Sequence, residues 1–298
     1  MRITVLGAGA IGSLFGAHLA KEHDVTLVCR RPHAEAIERD GLAITGLSEF
    51  RVHPRAVTST AGLEPPDILF LTVKAYDTEA ALEDIRKLLS PGTVLVSLQN
   101  GLGNAEVLRD ALPEARLVTG ITSQGAIHRA PGTVEHTGKS YSTVGGSDDA
   151  ITVAGILSQA GFETAVSDDI DRDIWYKAIV NGAINPIATL LREKNRAIVL
   201  HKELAPLIDC IVTEGIEVAF TRGITLDREI AIEKVMAVAI GTANNVCSMR
   251  QDIENGRRTE IMQMNGAIAR YGRDAGIPTP VTNLLTALIL ALEPRRNQ

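Results

Sequence analysis

The chain of 298 residues is poor in aromatic side chains, which make up 3% of it, while 45% of its residues are hydrophobic. Its core must therefore be built mainly from aliphatic side chains. An excess of positive charge is also missing, because the formal net charge is −6. Binding to nucleic acid requires clustered cations that face the phosphates, so this charge balance argues against a nucleic-acid partner.

Cysteine is scarce as well, and Cys29, Cys210 and Cys247 form no paired motif. An odd number of unpaired cysteines favours small buried side chains in a reducing compartment over disulfide bonds. None of the seven histidines has the His-x-x-x-His spacing of a metal site. We therefore expect no metal.

The sequence also lacks a long hydrophobic run. The longest one, residues 281–292, is shorter than the ~20 residues that a membrane span needs, and it contains polar side chains. The first strand is predicted to begin at Arg2 or Ile3, which leaves no room for a signal peptide. We expect a cytoplasmic protein with no membrane partner, and its length suggests about two domains.

The first motif is a glycine-rich turn between an apolar run at residues 3–6 and a helical pattern, followed by a second apolar run at residues 24–29. This order of strand, turn, helix and strand is the unit that binds dinucleotides. Its three glycines allow a tight turn, close approach of the backbone to the pyrophosphate, and close packing of helix against strand. The start of the helix offers free N–H groups to the phosphates. The predicted cofactor-binding residues are Gly7, Ala8, Gly9, Ala10, Ile11 and Gly12.

The end of the second strand predicts which dinucleotide binds. An acidic residue about 20 positions past the glycines usually binds the 2′-hydroxyl of NAD. This strand instead ends in Arg30-Arg31, and no acid follows before Glu35. Because a guanidinium can bind a 2′-phosphate through two hydrogen bonds, Arg30 predicts NADP. The alternative is that both arginines are solvated in a loop.

Two further apolar runs, residues 67–73 and 93–98, are predicted as buried strands that end at Lys74 and at Asn100. Ligands of open α/β sheets bind beyond the carboxyl ends of the strands. Lys74 and Asn100 are therefore predicted to bind the cofactor, and Asn100 the substrate as well. The alternative is a strand-end cap and a turn asparagine that precedes glycine.

Short strands are then predicted at residues 126–129, 134–136 and 140–144, as an antiparallel addition to the edge of the sheet. Strand alternation stops at Ile170, and helices are predicted from there on. The fold class is thus an α/β N-terminal Rossmann-type dinucleotide-binding domain, residues 1–168, followed by an all-α C-terminal domain, residues 169–298. After a first helix, which carries Lys177, further long helices of this domain are predicted at 201–221, 227–240, 243–254, 259–275 and 281–292.

One predicted helix carries an unusual polar row. Lys177, Asn181 and Asn185 recur every fourth residue in a segment that is otherwise apolar, so they share one helical face. Asparagine and glycine are poor helix formers, so stability alone would not select this segment. Pro186 is predicted to kink or end the helix directly after Asn185. The row is predicted to bind a small polar ligand; the alternative is a surface ion pair and two asparagines satisfied within the fold.

Taken together, the motifs resemble those of the ketopantoate reductase family, also called 2-dehydropantoate 2-reductases, over nearly the whole chain. No single motif is specific, but the set is. The matching segments are Gly7 to Gly12, Arg30, Thr72-Val73-Lys74-Ala75, Gln99-Asn100-Gly101-Leu102-Gly103, Trp175-Tyr176-Lys177, Asn181, Asn185-Pro186, Asn195, Ser248-Met249-Arg250-Gln251-Asp252 and Thr259-Glu260.

The resemblance implies reduction of 2-dehydropantoate to (R)-pantoate with NADPH, on the route to pantothenate and coenzyme A. Lys177 would then be the catalytic acid, since it can stabilise the developing alkoxide and donate its proton. Asn100, Asn181, Asn185, Asn195 and Ser248 would bind the substrate together with Lys177. Glu260 and Ala126 would lie near the nicotinamide end of the cofactor.

Other functions stay open at this point. The reductase could act on another branched 2-keto acid, or belong with the 6-phosphogluconate type of dehydrogenase, although that class needs cations for a substrate phosphate. A redox sensor that binds NADP would not be an enzyme, and it leaves the polar row unexplained. The sequence does not decide the oligomeric state, and a homodimer stays open.

Overall fold

The computed structural model describes residues 1–294. Its residue contacts divide the chain into two units. The first unit contains Met1–Gln99 and Asn104–Ile170, and the second contains the chain from Asp171 onward together with the short segment Asn100–Gly103. This segment joins the second unit because the Leu102 N–H donates to the Gln263 carbonyl at 2.7 Å and the Leu102 side chain packs in the helical core.

The first unit alternates strands with helices, as the α/β pattern predicts. Its strands are β1 (Arg2–Leu6), β2 (Asp24–Val28), β3 (Leu42–Gly46), β4 (Phe50–Val52), β5 (Arg55–Val57), β6 (Ile68–Leu71), β7 (Val94–Ser97), β8 (Arg116–Thr122), β9 (Gly125–Ala130), β10 (Thr133–Gly138), β11 (Ser142–Gly145) and β12 (Thr164–Val166). Its helices are α1 (Ala10–Leu19), α2 (Arg31–Asp40), α3 (Thr78–Leu88), α4 (Asn104–Ala111) and α5 (Asp149–Gln159).

The main sheet has the strand order β12-β11-β8-β7-β6-β1-β2-β5 within the described part of the chain. Its pairs from β5 to β8 are parallel, and β11 runs antiparallel to β8. Strands β6 and β7 are buried along their whole length, as expected for strands covered on both faces. This arrangement confirms the predicted fold class and brings the carboxyl ends of β1, β2, β6 and β7 to one edge.

The predicted antiparallel addition to the edge of this sheet is wrong for two of its three strands. β9 and β10 join β3 and β4 in a separate sheet of order β4-β3-β10-β9. Alternate residues of this second sheet, including Leu42, Ile44 and Val134, pack in one core with Phe15 of α1 and with Val5 of the main sheet. Because the two sheets cover it from opposite sides, α1 is buried from Gly12 to Leu19.

The second unit is helical throughout its described part. Its helices are α6 (Ile170–Leu191, which starts at the last residue of the first unit), α7 (Ala197–Leu200), α8 (Ala205–Thr221), α9 (Arg228–Gly241), α10 (Ser248–Glu254), α11 (Asn265–Ala275) and α12 (Pro280–Leu292). Within residues 1–294, none of these or the other helices is long and apolar enough to cross a membrane.

Three helix boundaries differ from prediction. The helix predicted from residue 201 starts at Ala205, because Pro206 occupies its first turn, where proline's fixed φ is favourable. The helix predicted from residue 243 starts at Ser248, because the carbonyls of Ala243 and Asn245 accept the N–H groups of Arg196 and Asn195 instead of helical partners. The helix predicted from residue 259 starts only at Asn265, as α11, and a short 3₁₀ turn, Ile261–Gln263, precedes it.

Pro186 was expected to kink or end its helix, and of these two alternatives the end is wrong, because α6 continues past it to Leu191. Proline has no N–H, so the carbonyl four residues earlier, that of Gly182, loses its helical donor. The side chain of Asn265 replaces this donor, because its Nδ2 lies 3.0 Å from the Gly182 oxygen. The expectation of buried cysteines is also wrong for Cys210, which is exposed on α8, whereas Cys247 is buried.

Candidate functional site

The glycine turn joins β1 to α1 and packs tightly against two neighbouring strand ends. Gly7 has φ +92°, and a Cβ there would lie 2.5 Å from the Val73 side chain. The N–H groups of Gly7 and Ala8 both donate to the Val28 carbonyl, at 3.1 and 2.9 Å. The turn is therefore fixed between the residues that precede Lys74 and those that precede Arg30.

The other two glycines have different surroundings. A Cβ on Gly12 would clash with Thr72 Oγ1, so helix and strand can approach this closely only at glycine. Among the described residues, a Cβ on Gly9 would meet only the Gly7 oxygen, at 3.9 Å, so packing around this position does not require glycine. The N-cap residue of α1 is Gly9, which has no side chain that could cap the first turn. A smooth backbone surface beside free helical N–H groups fits a pyrophosphate.

A buried hydrogen-bond relay supports the turn from behind. The Gly132 N–H donates to His33 Nδ1 at 2.9 Å, which assigns the proton of this imidazole to Nε2. Nε2 then donates to Ser13 Oγ at 3.0 Å, and the Ser13 hydroxyl donates to the Ala8 carbonyl at 3.2 Å. Burial, with a smaller contribution from His128, lowers the pKa of His33 from its ordinary 6.5 to about 4. The relay thus requires a neutral His33.

Acid is expected to destabilise the protein through His33. Its pKa is lower in the folded chain than in the unfolded chain, so the unfolded chain binds the proton first as the pH falls. The contribution of His33 to the free energy of unfolding is fully present above pH 6.5. It decreases as the pH falls toward 4, by about 2–3 kcal/mol at pH 4.5. The free energy of unfolding of His33→Gln, measured from pH 7.5 to 4.5, should fall less steeply than that of wild type. Equal slopes would contradict this.

The remaining cofactor candidates of the first unit lie at strand ends or in the second sheet. Arg30 is exposed and forms the N-cap of α2, two residues past β2. Lys74 is partly buried and begins a 3₁₀ turn after β6, next to the Val73 that contacts Gly7. Ala126 lies in β9, where it packs against the core that contains α1.

Lys177 lies in the second unit, on α6, and is partly buried. Its Nζ donates to Asn100 Oδ1 at 2.8 Å. Burial lowers the pKa of Lys177 from 10.5 to about 8, and the negative charge of Glu260, which is itself buried, opposes this shift. The structure thus brings Lys177, Asn100 and Glu260 together. The lowered pKa of Lys177 suits a general acid that works near neutral pH.

The two amides that follow on α6 differ from Lys177 in their contacts. Asn181 is partly buried and Asn185 is buried. Among the described residues, neither side chain has a hydrogen-bond partner, whereas the Asn185 carbonyl accepts the Thr189 hydroxyl at 2.7 Å. Buried amides normally find partners. Asn181 and Asn185 therefore offer donors and acceptors that a polar ligand could use.

Ser248 and Asn195 lie at different distances from this row. Ser248 begins α10 and is exposed, and the adjacent Cys247 Sγ lies 3.6 Å from the Asn185 carbonyl. Asn195 lies in the turn after α6, where its Nδ2 donates to Thr242 Oγ1 at 2.8 Å and its buried Oδ1 has no partner among the described residues. No described hydrogen bond joins Asn195 to Lys177, Asn181 or Asn185.

Sequence reasoning did not find Ser13, His33 or Asn265, and it quoted Thr72 only as part of a family segment, without a contact to the glycine turn. Thr72 Oγ1 donates to the Gly7 carbonyl at 3.0 Å. For Asn265 a signal exists, because a proline inside a helix frees the carbonyl four residues earlier and that carbonyl needs another donor. For the others the sequence holds no such signal, since the contacts Thr72–Gly7, Ser13–His33 and His33–Gly132 join segments that are distant in the chain.

A Rossmann-type unit with this glycine turn, followed by a helical unit that carries a lysine of lowered pKa, defines the class of two-domain nicotinamide-dependent oxidoreductases. The profile of the ketopantoate reductase PanE/ApbA family matches residues 3–149, and the profile of its C-terminal domain matches residues 169–293. The chain therefore belongs to the ketopantoate reductase family, as the sequence motifs indicated.

Individual relatives are similar over their full length. The 2-dehydropantoate 2-reductase of Pyrococcus horikoshii is 40% identical, and the match covers 98% of both chains. The PanE/ApbA family ketopantoate reductase of Ralstonia eutropha JMP134 has a similar fold, with a TM-score of 0.91, 28% identity and 98% of both chains covered. D-mandelate dehydrogenase, in its ternary structure with NADH and anilino(oxo)acetate, gives a TM-score of 0.90 at 30% identity, also with 98% of both chains covered.

Proposed function

We propose that this chain reduces 2-dehydropantoate to (R)-pantoate with NADPH, as a 2-dehydropantoate 2-reductase of pantothenate and coenzyme A biosynthesis. The observation that carries the proposal is the Lys177 ammonium, which is bonded to Asn100 and has a pKa lowered to about 8. Full-length similarity to curated 2-dehydropantoate 2-reductases supports it. We also propose that the protein is cytoplasmic. We further propose a homodimer, which the exposed side chains of Leu284, Leu288 and Leu292 on α12 support.

We propose that the first unit binds NADPH. The N–H groups at the start of α1 bind the pyrophosphate over Gly9, where the surface is open, while Gly7 and Gly12 shape the turn. Arg30 binds the 2′-phosphate, and Lys74, which follows Val73 beside the turn, adds a positive charge. Ala126 of the first unit is proposed to bind near the nicotinamide. Asn100 and Glu260, which belong to the second unit, are proposed as further cofactor-binding residues.

We propose that the second unit binds and protonates the keto acid. Bound NADPH supplies the hydride that the keto carbon accepts. The Lys177 ammonium stabilises the negative charge that develops on the carbonyl oxygen, and then donates its proton to it. Asn100 holds Lys177 Nζ in place, and the free amides of Asn181 and Asn185 bind the hydroxyl and carboxylate groups of the substrate. Asn195 and Ser248 are proposed to bind the same substrate.

The proposed activity is tested by incubating the protein with NADPH and 2-dehydropantoate while nicotinamide absorbance is followed. A second candidate is the reduction of another 2-keto acid, which the similarity to D-mandelate dehydrogenase favours. A panel that also contains other branched 2-keto acids and a phenyl-substituted one separates these functions by kcat/KM. NADPH binding without oxidation of NADPH by any keto acid would instead support the redox sensor.

Arg30→Ala is expected to raise the KM for NADPH at least roughly tenfold and to leave the KM for NADH within about a factor of two, because a charged hydrogen bond to phosphate contributes about 1.5 kcal/mol or more. The measurement is steady-state kinetics with both cofactors. Arg39→Ala is the matched control, since Arg39 is also exposed on α2 but pairs with Asp40 at the other end of the helix. Equal effects on NADPH and NADH would reject this role for Arg30.

A further inference from the structure

The carbonyl of Gly182 depends on a distant side chain. In a regular helix it would accept the N–H of residue 186, but residue 186 is proline. Gly182 is buried, so water does not readily replace the lost donor, and an unpaired carbonyl here would cost free energy. Asn265, at the start of α11 and with no exposed surface, supplies the missing hydrogen bond through Nδ2 at 3.0 Å.

The glycine at position 182 is explained by the same contact. A Cβ on Gly182 would lie 3.2 Å from Asn265 Oδ1 and 3.3 Å from its Nδ2. A larger residue would therefore push the amide away from the carbonyl that it satisfies. Glycine is otherwise unfavourable in the middle of a helix. Gly182, Pro186 and Asn265 thus form one set. Pro186 leaves the Gly182 carbonyl without its helical donor, Asn265 supplies a donor, and the glycine at position 182 leaves space for the Asn265 amide.

This set lies within the polar row of α6. Gly182 directly follows Asn181, and Pro186 directly follows Asn185, so the unusual turn of helix is the one that carries both amides. Proline inside a helix favours a kink, both because it lacks the N–H and because its ring crowds the carbonyl four residues earlier. A kink here would turn Asn185 away from the face that it shares with Asn181 and Lys177.

The short segment from Glu260 to Asn265 also contacts the other parts of the Lys177 site. The charge of Glu260 acts on Lys177. The Gln263 carbonyl accepts the Leu102 N–H at 2.7 Å, in the turn that begins with Asn100. Within six residues the chain therefore contacts α6 at Gly182, supports the turn of Asn100 and sets the electrostatic environment of Lys177.

We propose that Asn265 is a positioning residue for keto-acid reduction. Its Nδ2 replaces the hydrogen bond that Pro186 removes, and so keeps Asn181 and Asn185 in one row with Lys177. The inference rests on the proposed function, because it assigns Asn265 a part in a site that the keto acid occupies. Asn265 itself acts through α6 and the Gly182 carbonyl.

The test is a double-mutant cycle of Asn265→Leu and Pro186→Ala. Leucine has the same branched shape as asparagine, with two methyl groups in place of the amide oxygen and nitrogen, so it cannot donate, and alanine restores an N–H to residue 186. Asn265→Leu alone is expected to lower kcat/KM for the keto acid by about 10- to 100-fold, because small misplacements of binding groups are costly. The Kd for NADPH should stay unchanged. In the Pro186→Ala background, the same substitution should cost little.

Asn283→Leu is the matched control, because Asn283 Nδ2 also donates to a backbone carbonyl of the second unit, that of Thr279, at 2.8 Å. It should leave kcat/KM unchanged. The proposal is overturned if Asn265→Leu keeps the wild-type kcat/KM, or if Pro186→Ala does not reduce its effect. Should Asn265→Leu fail to fold, the double variant decides: a folded, active double variant supports the proposal, and one that also fails to fold overturns it.

Failure of the proposed function would look different. Wild-type protein would then reduce no 2-keto acid, whatever residue stands at position 265. The same cycle measured on the free energy of unfolding needs no turnover, and non-additive values would still report the hydrogen bond to Gly182.

Discussion

Lys177→Ala is expected to lower kcat for keto-acid reduction by about 10²–10⁴-fold, or about 3–5 kcal/mol of barrier, because it removes the acid that acts in the transition state. The Kd for NADPH should change little, since the proposed phosphate contacts lie on the glycine turn and Arg30. Lys177→Arg should not restore activity, because guanidinium stays charged at any working pH and has a different shape. Turnover and NADPH binding are measured on the folded variants.

The matched control is Lys234→Ala, which removes an exposed lysine of the second unit whose Nζ lies 5.3 Å from the Tyr176 ring. It should keep near-normal turnover. Turnover of Lys177→Ala within a few-fold of wild type would remove Lys177 from the mechanism. A lysine that only forms a surface ion pair would contribute at most about 1 kcal/mol of stability and would not affect turnover.

The pH dependence provides a second measurement on the same residue. With a pKa of about 8, Lys177 is mostly protonated at neutral pH and loses its proton as the pH rises. Because only the ammonium can donate, kcat/KM should fall above pH 8 in wild type. The residual activity of Lys177→Ala should lack this alkaline limb. An identical limb in both proteins would assign it to another group.

Gly9→Val is expected to fold like wild type and to raise the Kd for NADPH by about 10²-fold or more. An added Cβ at this position has open space in the folded chain, and the valine side chain would occupy the surface over which the pyrophosphate is proposed to bind. Loss of one or two charge-assisted hydrogen bonds, at about 1.5–3 kcal/mol each, accounts for that weakening. Unfolding curves and NADPH titrations together measure the effect.

Two other glycines of the first unit serve as controls for Gly9. Gly155 in α5 has no neighbour among the described residues within 4 Å of an added Cβ, so Gly155→Ala should change neither stability nor NADPH affinity adversely. Gly12→Ala should lose stability in addition to NADPH affinity, because its Cβ would clash with Thr72 Oγ1. Tight NADPH binding by folded Gly9→Val would exclude the proposed path of the pyrophosphate.

Sequence reasoning recovered the features that depend on local order along the chain. The glycine turn follows from residues 3–12 alone, because tight turns, close packing and free helical N–H groups are properties of neighbouring residues. The period-four row of Lys177, Asn181 and Asn185 needs only the geometry of a helix. The α/β fold class and the family followed from these local patterns, and both were confirmed.

Features that depend on contacts between distant segments were decided by tertiary structure. The sequence placed β9 and β10 at the edge of the main sheet, whereas packing against α1 joins them to β3 and β4. It predicted that Pro186 kinks or ends α6, whereas the helix continues past Pro186 and a side chain from α11 satisfies the carbonyl that proline leaves free. The pKa of Lys177 could not be predicted either, because it is the balance of burial against the charge of Glu260, and both depend on where the folded chain places these two residues.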